Sequence, residues 1–244
     1  MIVPLIFDIK RGSLEDGPGV RTTIFFKGCN LNCFWCHNPE SKKSFVQTAY
    51  FEEKCVGCGE CKNIENDLEK AEVCKEHARK IYGKEYTVAQ LVEISLKDKC
   101  YYDVTGGGVT LSGGECMLYP DFVAELSKTL KEKGIGVLID TAGNVAYKEF
   151  EKVLPYVDGF LYDIKCLDEK IHISGTGVSN SLILENFYKL IKTDKKIIVR
   201  IPEIPNFNEG KEKDKVVKLC KNLGIECEVL EYHEYGNSKQ KSLK

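Results

Sequence analysis

Six short apolar runs, each closed by glycine or polar residues, constrain this chain more than any other feature. They span 20–26, 109–112, 136–140, 159–164, 196–200 and 226–232. After the second, each is separated from the next by a stretch with helical spacing of apolar residues, at 120–133, 149–154, 181–192 and 211–223. In the first stretch Phe122, Val123, Leu126 and Leu130 share one face. Pro120 suits its first turn and Gly134 its C-terminal stop. Strands alternating with helices predict a parallel sheet with right-handed crossovers, and six such units predict an α/β fold, a partial (β/α)6 TIM-like barrel.

Residues 50–86 break this rhythm. They are charged, cysteine-bearing and poor in apolar runs, so they read as an insert between 1–49 and 87–244. Thr87 with Gln90 three residues on forms a capping-box pattern that opens a helix to about Leu96. A formal net charge of -2 offers no basic footprint for nucleic acid. No apolar run approaches a membrane span, and the apolar start at 1–7 has no cleavage site after it. Twelve cysteines without an export signal argue against a disulfide framework and for metal in a reducing, cytoplasmic setting.

In a parallel barrel the C-terminal strand edges converge on one face, where active sites are built. The polar ends here are Ser112-Gly113-Gly114-Glu115, Asp140-Thr141-Ala142-Gly143, Asp163-Ile164-Lys165, Arg200 and Tyr232-His233. Gly113 and Gly114 let the backbone approach a ligand closely, and Glu115 offers a carboxylate to an ammonium. Lys165 and Arg200 offer cations to a carboxylate. The implied ligand carries an amino-acid end. The first strand runs into Gly28 and then Cys29, Cys33 and Cys36, in C-x3-C-x2-C spacing. Three thiolates leave one iron of a cubane cluster open to a small molecule. A zinc knuckle is the other reading, though His37 adjoins Cys36 too closely to complete a tetrahedron easily.

These motifs resemble the radical S-adenosylmethionine enzymes, and among them the activating enzymes of glycyl radical enzymes, typified by the pyruvate formate-lyase activating enzyme. The matching segments are Asp16-Gly17-Pro18-Gly19-Val20-Arg21, the cysteine motif through Cys36-His37-Asn38-Pro39, and Thr105-Gly106-Gly107-Gly108 through Glu115. Asp140-Thr141-Ala142-Gly143-Asn144, Asp163-Ile164-Lys165, Gly175-Thr176-Gly177-Val178-Ser179-Asn180, Val199-Arg200-Ile201-Pro202 and Tyr232-His233 complete the series. The resemblance implies that Cys29, Cys33 and Cys36 hold a [4Fe–4S] cluster whose open iron is chelated by S-adenosylmethionine. Reductive cleavage then yields a 5′-deoxyadenosyl radical, which takes a hydrogen from a glycine Cα of a partner glycyl radical enzyme. It further implies that Gly113, Gly114 and Glu115 meet the methionine amine. Asp140, Lys165, Arg200 and His233 would line the cofactor site, and Asp140, Thr141 and Asp163 would match a monovalent-cation site. Asp16 would face the partner. A flavodoxin or ferredoxin-type electron donor, a monomeric state and anaerobic operation are the corresponding expectations.

The insert contains Cys55, Cys58 and Cys61 in C-x2-C-x2-C spacing, the opening of a bacterial ferredoxin motif, but Glu65 stands where the fourth cysteine belongs. By the family pattern Cys74 matches the last cysteine of a second motif, which leaves one ferredoxin-like ligand set for a second [4Fe–4S] cluster. A four-cysteine zinc site is the alternative for the same thiolates. For the whole chain, the other function classes are a radical enzyme acting on a small molecule and a non-catalytic ferredoxin-like electron carrier.

Overall fold

The computed structural model describes residues 2–232, 239 and 241–243. The chain opens with strands β1 (Leu5–Ser13) and β2 (Arg21–Phe26). The cysteine-rich stretch holds β3 (Gln47–Tyr50), α1 (Asp67–Glu72) and β4 (Arg79–Tyr82). Next come β5 (Lys84–Glu85), α2 (Val88–Leu96), α3 (Lys99–Thr105), β6 (Gly108–Gly113), α4 (Pro120–Glu132) and β7 (Gly136–Thr141). They are followed by α5 (Tyr147–Val153), β8 (Gly159–Asp163), α6 (Glu169–Thr176), α7 (Ser181–Leu190), β9 (Lys196–Glu203), α8 (Lys211–Leu223) and β10 (Glu226–Glu231).

The large sheet has eight strands in the order β10-β9-β8-β7-β6-β2-β1-β5. The six from β2 to β10 are parallel and correspond to the six apolar runs. The sheet stays open between β5 and β10, as a partial TIM-like barrel requires. Helices α4, α5, α7 and α8 fall where the periodicity predicts them, and Thr87 and Gln90 form the expected capping box of α2.

Period-two alternation sorts the parallel strands into two faces. Val109, Leu111, Val137, Ile139, Phe160, Tyr162, Val199 and Ile201 belong to the main core with Phe122, Leu126, Phe150 and Phe187 of the helices. The alternate residues form a separate small cluster of Leu138, Leu161 and Ile198. One step of two residues along β7, β8 and β9 from that cluster stand Asp140, Asp163 and Arg200. The inner face therefore changes from apolar to charged within two residues, toward the C-terminal strand ends.

Strand β1 has no counterpart among the apolar runs. It pairs antiparallel with β2, with irregular register at Ile6/Asp8 and Lys10/Ser13. Side-chain bonds tie it to the sheet. Asp98, buried just before α3, accepts hydrogen bonds from Arg11 Nε at 2.8 Å and from Thr22 Oγ1 at 2.8 Å. Tyr102 Oη of α3 donates to Thr22 Oγ1 at 2.5 Å. In the cysteine-rich stretch, β3 and β4 pair antiparallel as a separate two-stranded sheet.

The hydrogen bond from Arg11 holds the Asp98 carboxyl below its ordinary value of 3.8, against the opposing effect of burial. Ionised Asp98 therefore stabilises the fold above that pH, and the contribution fades as pH falls below 3.8 toward the depressed native value. Asp98→Asn should lower stability near neutrality by about 2 kcal/mol, the scale for a hydrogen bond to a charged group. Urea unfolding should show the gap between wild type and Asp98→Asn closing at acid pH.

Candidate active site at the C-terminal strand edge

A cavity of about 530 Å³ opens at the C-terminal edge of the parallel strands. That volume suits a cofactor-sized ligand. Its walls include Cys29, Cys33 and Cys36 from the loop after β2, Ser112 and Gly113 from β6 with Gly114 just after it, and Asp140 and Thr141 from β7. Asp163 and Lys165 from the end of β8, Arg200 of β9, Glu15 and Asp16 of the β1–β2 turn, and Glu231 of β10 complete the charged part. Pro202 of β9 adds a further part of the wall, and residues 229–231 of β10 a part that no motif announced.

The cysteine loop is fastened at its base by main-chain bonds. Gly28 N donates to Ser41 O at 2.7 Å, and Cys29 N to Lys42 O at 3.3 Å. Glu115 N donates to Gly28 O at 2.8 Å, which joins the loop to the end of β6. A Cβ on Gly114 would lie 2.3 Å from Gly28 O, so only glycine permits this approach. Farther round, Asn32 N and Phe34 N donate to Thr176 O and Gly175 O at the end of α6, at 2.8 and 3.1 Å. Trp35 packs on Phe207, with ring centroids 4.3 Å apart, and a Cβ on Gly175 would intrude at 2.2 Å from Phe207 and 2.7 Å from Trp35. Gly175 and Thr176, at the start of the 175–180 motif, thus serve as a seat for the cysteine loop.

Glu115 does not line the cavity. It lies fully buried beneath, where Thr141 Oγ1 and Met117 N donate to one oxygen at 2.7 and 3.1 Å, and Ala142 N donates to the other at 3.0 Å. Burial pushes its carboxyl up to about 7, opposed by these three donors. It locks the β6 and β7 ends together from below. Cys116 is also buried, with its Sγ donating to Leu111 O at 3.4 Å.

The charged residues form a compact set. Lys165 Nζ lies 2.6 Å from Asp163, and Arg200 lies 3.4 Å from Asp140. Burial pulls the Lys165 ammonium down, but Asp163 and Cys33 outweigh it and hold the group above its ordinary range. Burial likewise opposes the charge on Arg200, while Asp140, Asp163 and Asp16 favour it. Burial pushes Asp140 up to about 6, and neighbouring Asp163 adds to this against Arg200. Asp16 accepts from Ser13 Oγ at 2.5 Å and Thr23 Oγ1 at 2.7 Å, so its carboxylate is held against the barrel wall. The lining thus sets five acidic side chains, Glu15, Asp16, Asp140, Asp163 and Glu231, against the two cations Lys165 and Arg200, and a cationic ligand or ion would balance them.

The donors present fit an iron–sulfur group and an amino-acid ligand. Burial raises all three thiols, Cys29 to about 12 and Cys33 to about 11, so a metal centre would take up thiolates by releasing their protons. Among the described residues no three His, Cys, Asp or Glu side chains converge closely enough to hold a single ion. The fit therefore rests on the donor set and the cavity rather than on a ready-made cage. Arg200 Nε is buried and has no hydrogen-bond partner among the described residues, an orphaned donor suited to an anionic group. His233 lies outside the described residues.

Cys55, Cys58, Cys61 and Cys74 line one small second pocket of about 40 Å³, together with Tyr50, Ala78 and Arg79. Tyr50 donates to Cys55 and lowers its thiol, and Arg79 stacks over the Tyr50 ring at 4.4 Å. Cys74, which follows α1, lines the same pocket as the other three cysteines.

The family model of the radical SAM superfamily matches residues 23–220. The chain is 42% identical to the trans-4-hydroxy-L-proline dehydratase activating enzyme of Clostridioides difficile, over 97% of this chain and 86% of that protein. It is 39% identical to the (2S)-3-sulfopropanediol dehydratase activating enzyme of Klebsiella oxytoca, over 84% and 73%. It is 33% identical to the benzylsuccinate synthase activating enzyme of Thauera aromatica, over 98% and 81%. Among solved structures, SuiB of Streptococcus suis bound to the precursor peptide SuiA shares the fold, with TM-score 0.58, 16% identity and coverage of 87% of this chain and 39% of that one. Strand-edge cysteines, a cofactor-sized cavity and these relatives agree: the chain belongs to the radical SAM superfamily, among the activating enzymes of glycyl radical enzymes.

Proposed function

We propose that this chain activates a partner glycyl radical enzyme by generating a radical on one glycine of that partner. The observation that carries this reading is the opening of Cys29, Cys33 and Cys36 onto the same cavity as Gly113, Gly114, Asp140, Lys165 and Arg200. When bound, a [4Fe–4S] cluster supplies the electron that cleaves S-adenosylmethionine, and the resulting 5′-deoxyadenosyl radical removes the glycine hydrogen. Cys29, Cys33 and Cys36 would hold the cluster. The β6 edge at Gly113 and Gly114, locked from below by Glu115, would receive the methionine amine. Lys165 and Arg200 would receive the carboxylate, with His233 as a further cofactor contact. Asp140, Thr141 and Asp163 would hold a monovalent cation, a role supported by the excess of carboxylates over cations. Asp16, fixed by Ser13 and Thr23, would face the partner's glycine segment.

Residues 50–86 would form a ferredoxin-like unit holding a second [4Fe–4S] cluster on Cys55, Cys58, Cys61 and Cys74. The gathering of these four thiols around one pocket supports it. Four protein ligands would leave that cluster no open iron, which suits electron entry or bracing of the partner interface. The electron would come from a flavodoxin or ferredoxin-type donor, and the protein would work as a cytoplasmic monomer. Among the described residues no helix is long and apolar enough to cross a membrane.

Anaerobically prepared protein should contain about eight irons per chain, falling to about four in Cys74→Ala. Four irons in the wild type would remove the second cluster. Cys33→Ala should abolish 5′-deoxyadenosine formation under strong reductant, read by chromatography, with the fold retained by circular dichroism. Persistent cleavage in that variant would overturn the assignment of the front cysteines.

A further inference from the structure

We propose that Asn208 is a positioning residue that sets the spacing of Lys165 and Arg200 across the β8–β9 edge. It rests on the assignment of those two cations to the carboxylate of S-adenosylmethionine. The parallel ladder between β8 and β9 ends at the pair Asp163 and Arg200, followed by one bond from Ile164 N to Arg200 O at 3.1 Å. Lys165 lies beyond that last rung. Asn208 supplies the next one from a side chain.

The carboxamide is 1% exposed, in the turn between β9 and α8. Its Nδ2 donates to Lys165 O at 2.7 Å and to Pro202 O at 2.6 Å. Its Oδ1 accepts from Ile204 N at 2.7 Å, which fixes the amide's orientation. Its main-chain carbonyl accepts from Lys213 N at 2.7 Å, which anchors the residue to the start of α8. One planar group thus bridges the backbone of Lys165 to that of Pro202, two residues along β9 from Arg200.

Two other buried asparagines use the same chemistry without crossing between strand ends. Asn180 donates to Cys166 O and Leu167 O, at 3.0 and 2.9 Å, and Asn186 to Gly143 O and Val145 O, at 2.8 and 2.7 Å. Each closes a single turn. Asn208 alone of the three joins the segments that carry both cavity cations. Only a side chain with two amide hydrogens on one nitrogen and an acceptor beside them can satisfy this arrangement. An aspartate of the same shape would turn two donors into a carboxylate facing two carbonyls. The repulsion would part the β8 and β9 ends where Lys165 and Arg200 must close on one carboxylate. Binding of a two-point ligand is sensitive to such a displacement.

The test uses cluster-reconstituted enzyme and reads S-adenosylmethionine binding by anaerobic calorimetry, alongside iron content, thermal midpoint and cleavage kinetics. Asn208→Asp should raise Kd and KM about tenfold while leaving iron content unchanged and the saturated cleavage rate within about threefold. Asn180→Asp, with the same two donors lost in a neighbouring turn, should lower the thermal midpoint similarly but move Kd far less. If Asn208→Asp does not fold, Asn208→Ser carries the same readings, with Kd raised about threefold or more. An unchanged Kd in the folded variant, or equal weakening in Asn180→Asp, would overturn the role of Asn208. Lys165→Met separates the two levels. If it binds S-adenosylmethionine like wild type, the assignment of the cations is wrong; if it weakens binding while the Asn208 variants do not, only the positioning role is lost.

Discussion

The main chain of Gly28 is the junction on which the site depends. Its N–H closes the base of the cysteine loop on Ser41, and its carbonyl receives Glu115 N from the end of β6. The loop that carries the three thiols and the edge proposed to receive the methionine amine are therefore one hydrogen-bonded unit. Gly28 has a positive φ of 96°, and a side chain there would meet Tyr119 Oη at 2.8 Å. Gly114 faces its carbonyl with no room for a Cβ. Two glycines from distant parts of the sequence thus let backbone meet backbone where substituted residues would hold it apart.

Around this junction the fold accepts an electrostatic penalty. Buried carboxylates such as Glu115 and Asp140 are pushed above their ordinary range by loss of solvent, and the thiols likewise. Such groups persist because each finds fixed donors or a cation. Glu115 takes three donors, Asp140 has Ser112 Oγ at 2.7 Å and Arg200, and Asp163 has Lys165. The pairing is incomplete in a directed way, with an orphaned Nε on Arg200 and more carboxylates than cations in the lining. A zwitterionic, positively charged ligand matches both imbalances.

The cysteine-rich stretch follows a different physical scheme. Its two-stranded sheet and short helix supply few buried side chains, apart from Thr48, Ala49, Ala78 and Tyr82. Four thiols around one pocket would give such a small unit the cross-links that its core lacks, since metal-binding free energy becomes folding free energy in small domains. The stretch connects to the barrel through buried Lys27, whose ammonium reaches Gln47 Oε1 at 3.1 Å and Glu40 O. Strand β3 and the cysteine loop share that contact.

The six parallel strands and the helices α4, α5, α7 and α8 were legible in the sequence, because alternation and helical period are local consequences of one buried face. The thiols and most of the polar strand ends were legible for a related reason: barrel topology sends every C-terminal strand end to one face. Strand β1 was hidden, since its 9 residues mix Asp8, Lys10 and Arg11 with apolar ones and Arg11 finds its partner in Asp98, far along the chain. The orientation of Glu115 and the bridging by Asn208 were equally hidden. Each is set by donors or carbonyls from other segments, and an isolated Glu or Asn gives no local sign of which partner it will find. Spacing along the chain therefore determined the elements and the chemical inventory. Only tertiary packing decided which groups face the cavity and which lock it in place, because those choices are settled by hydrogen bonds between residues that are neighbours in space alone.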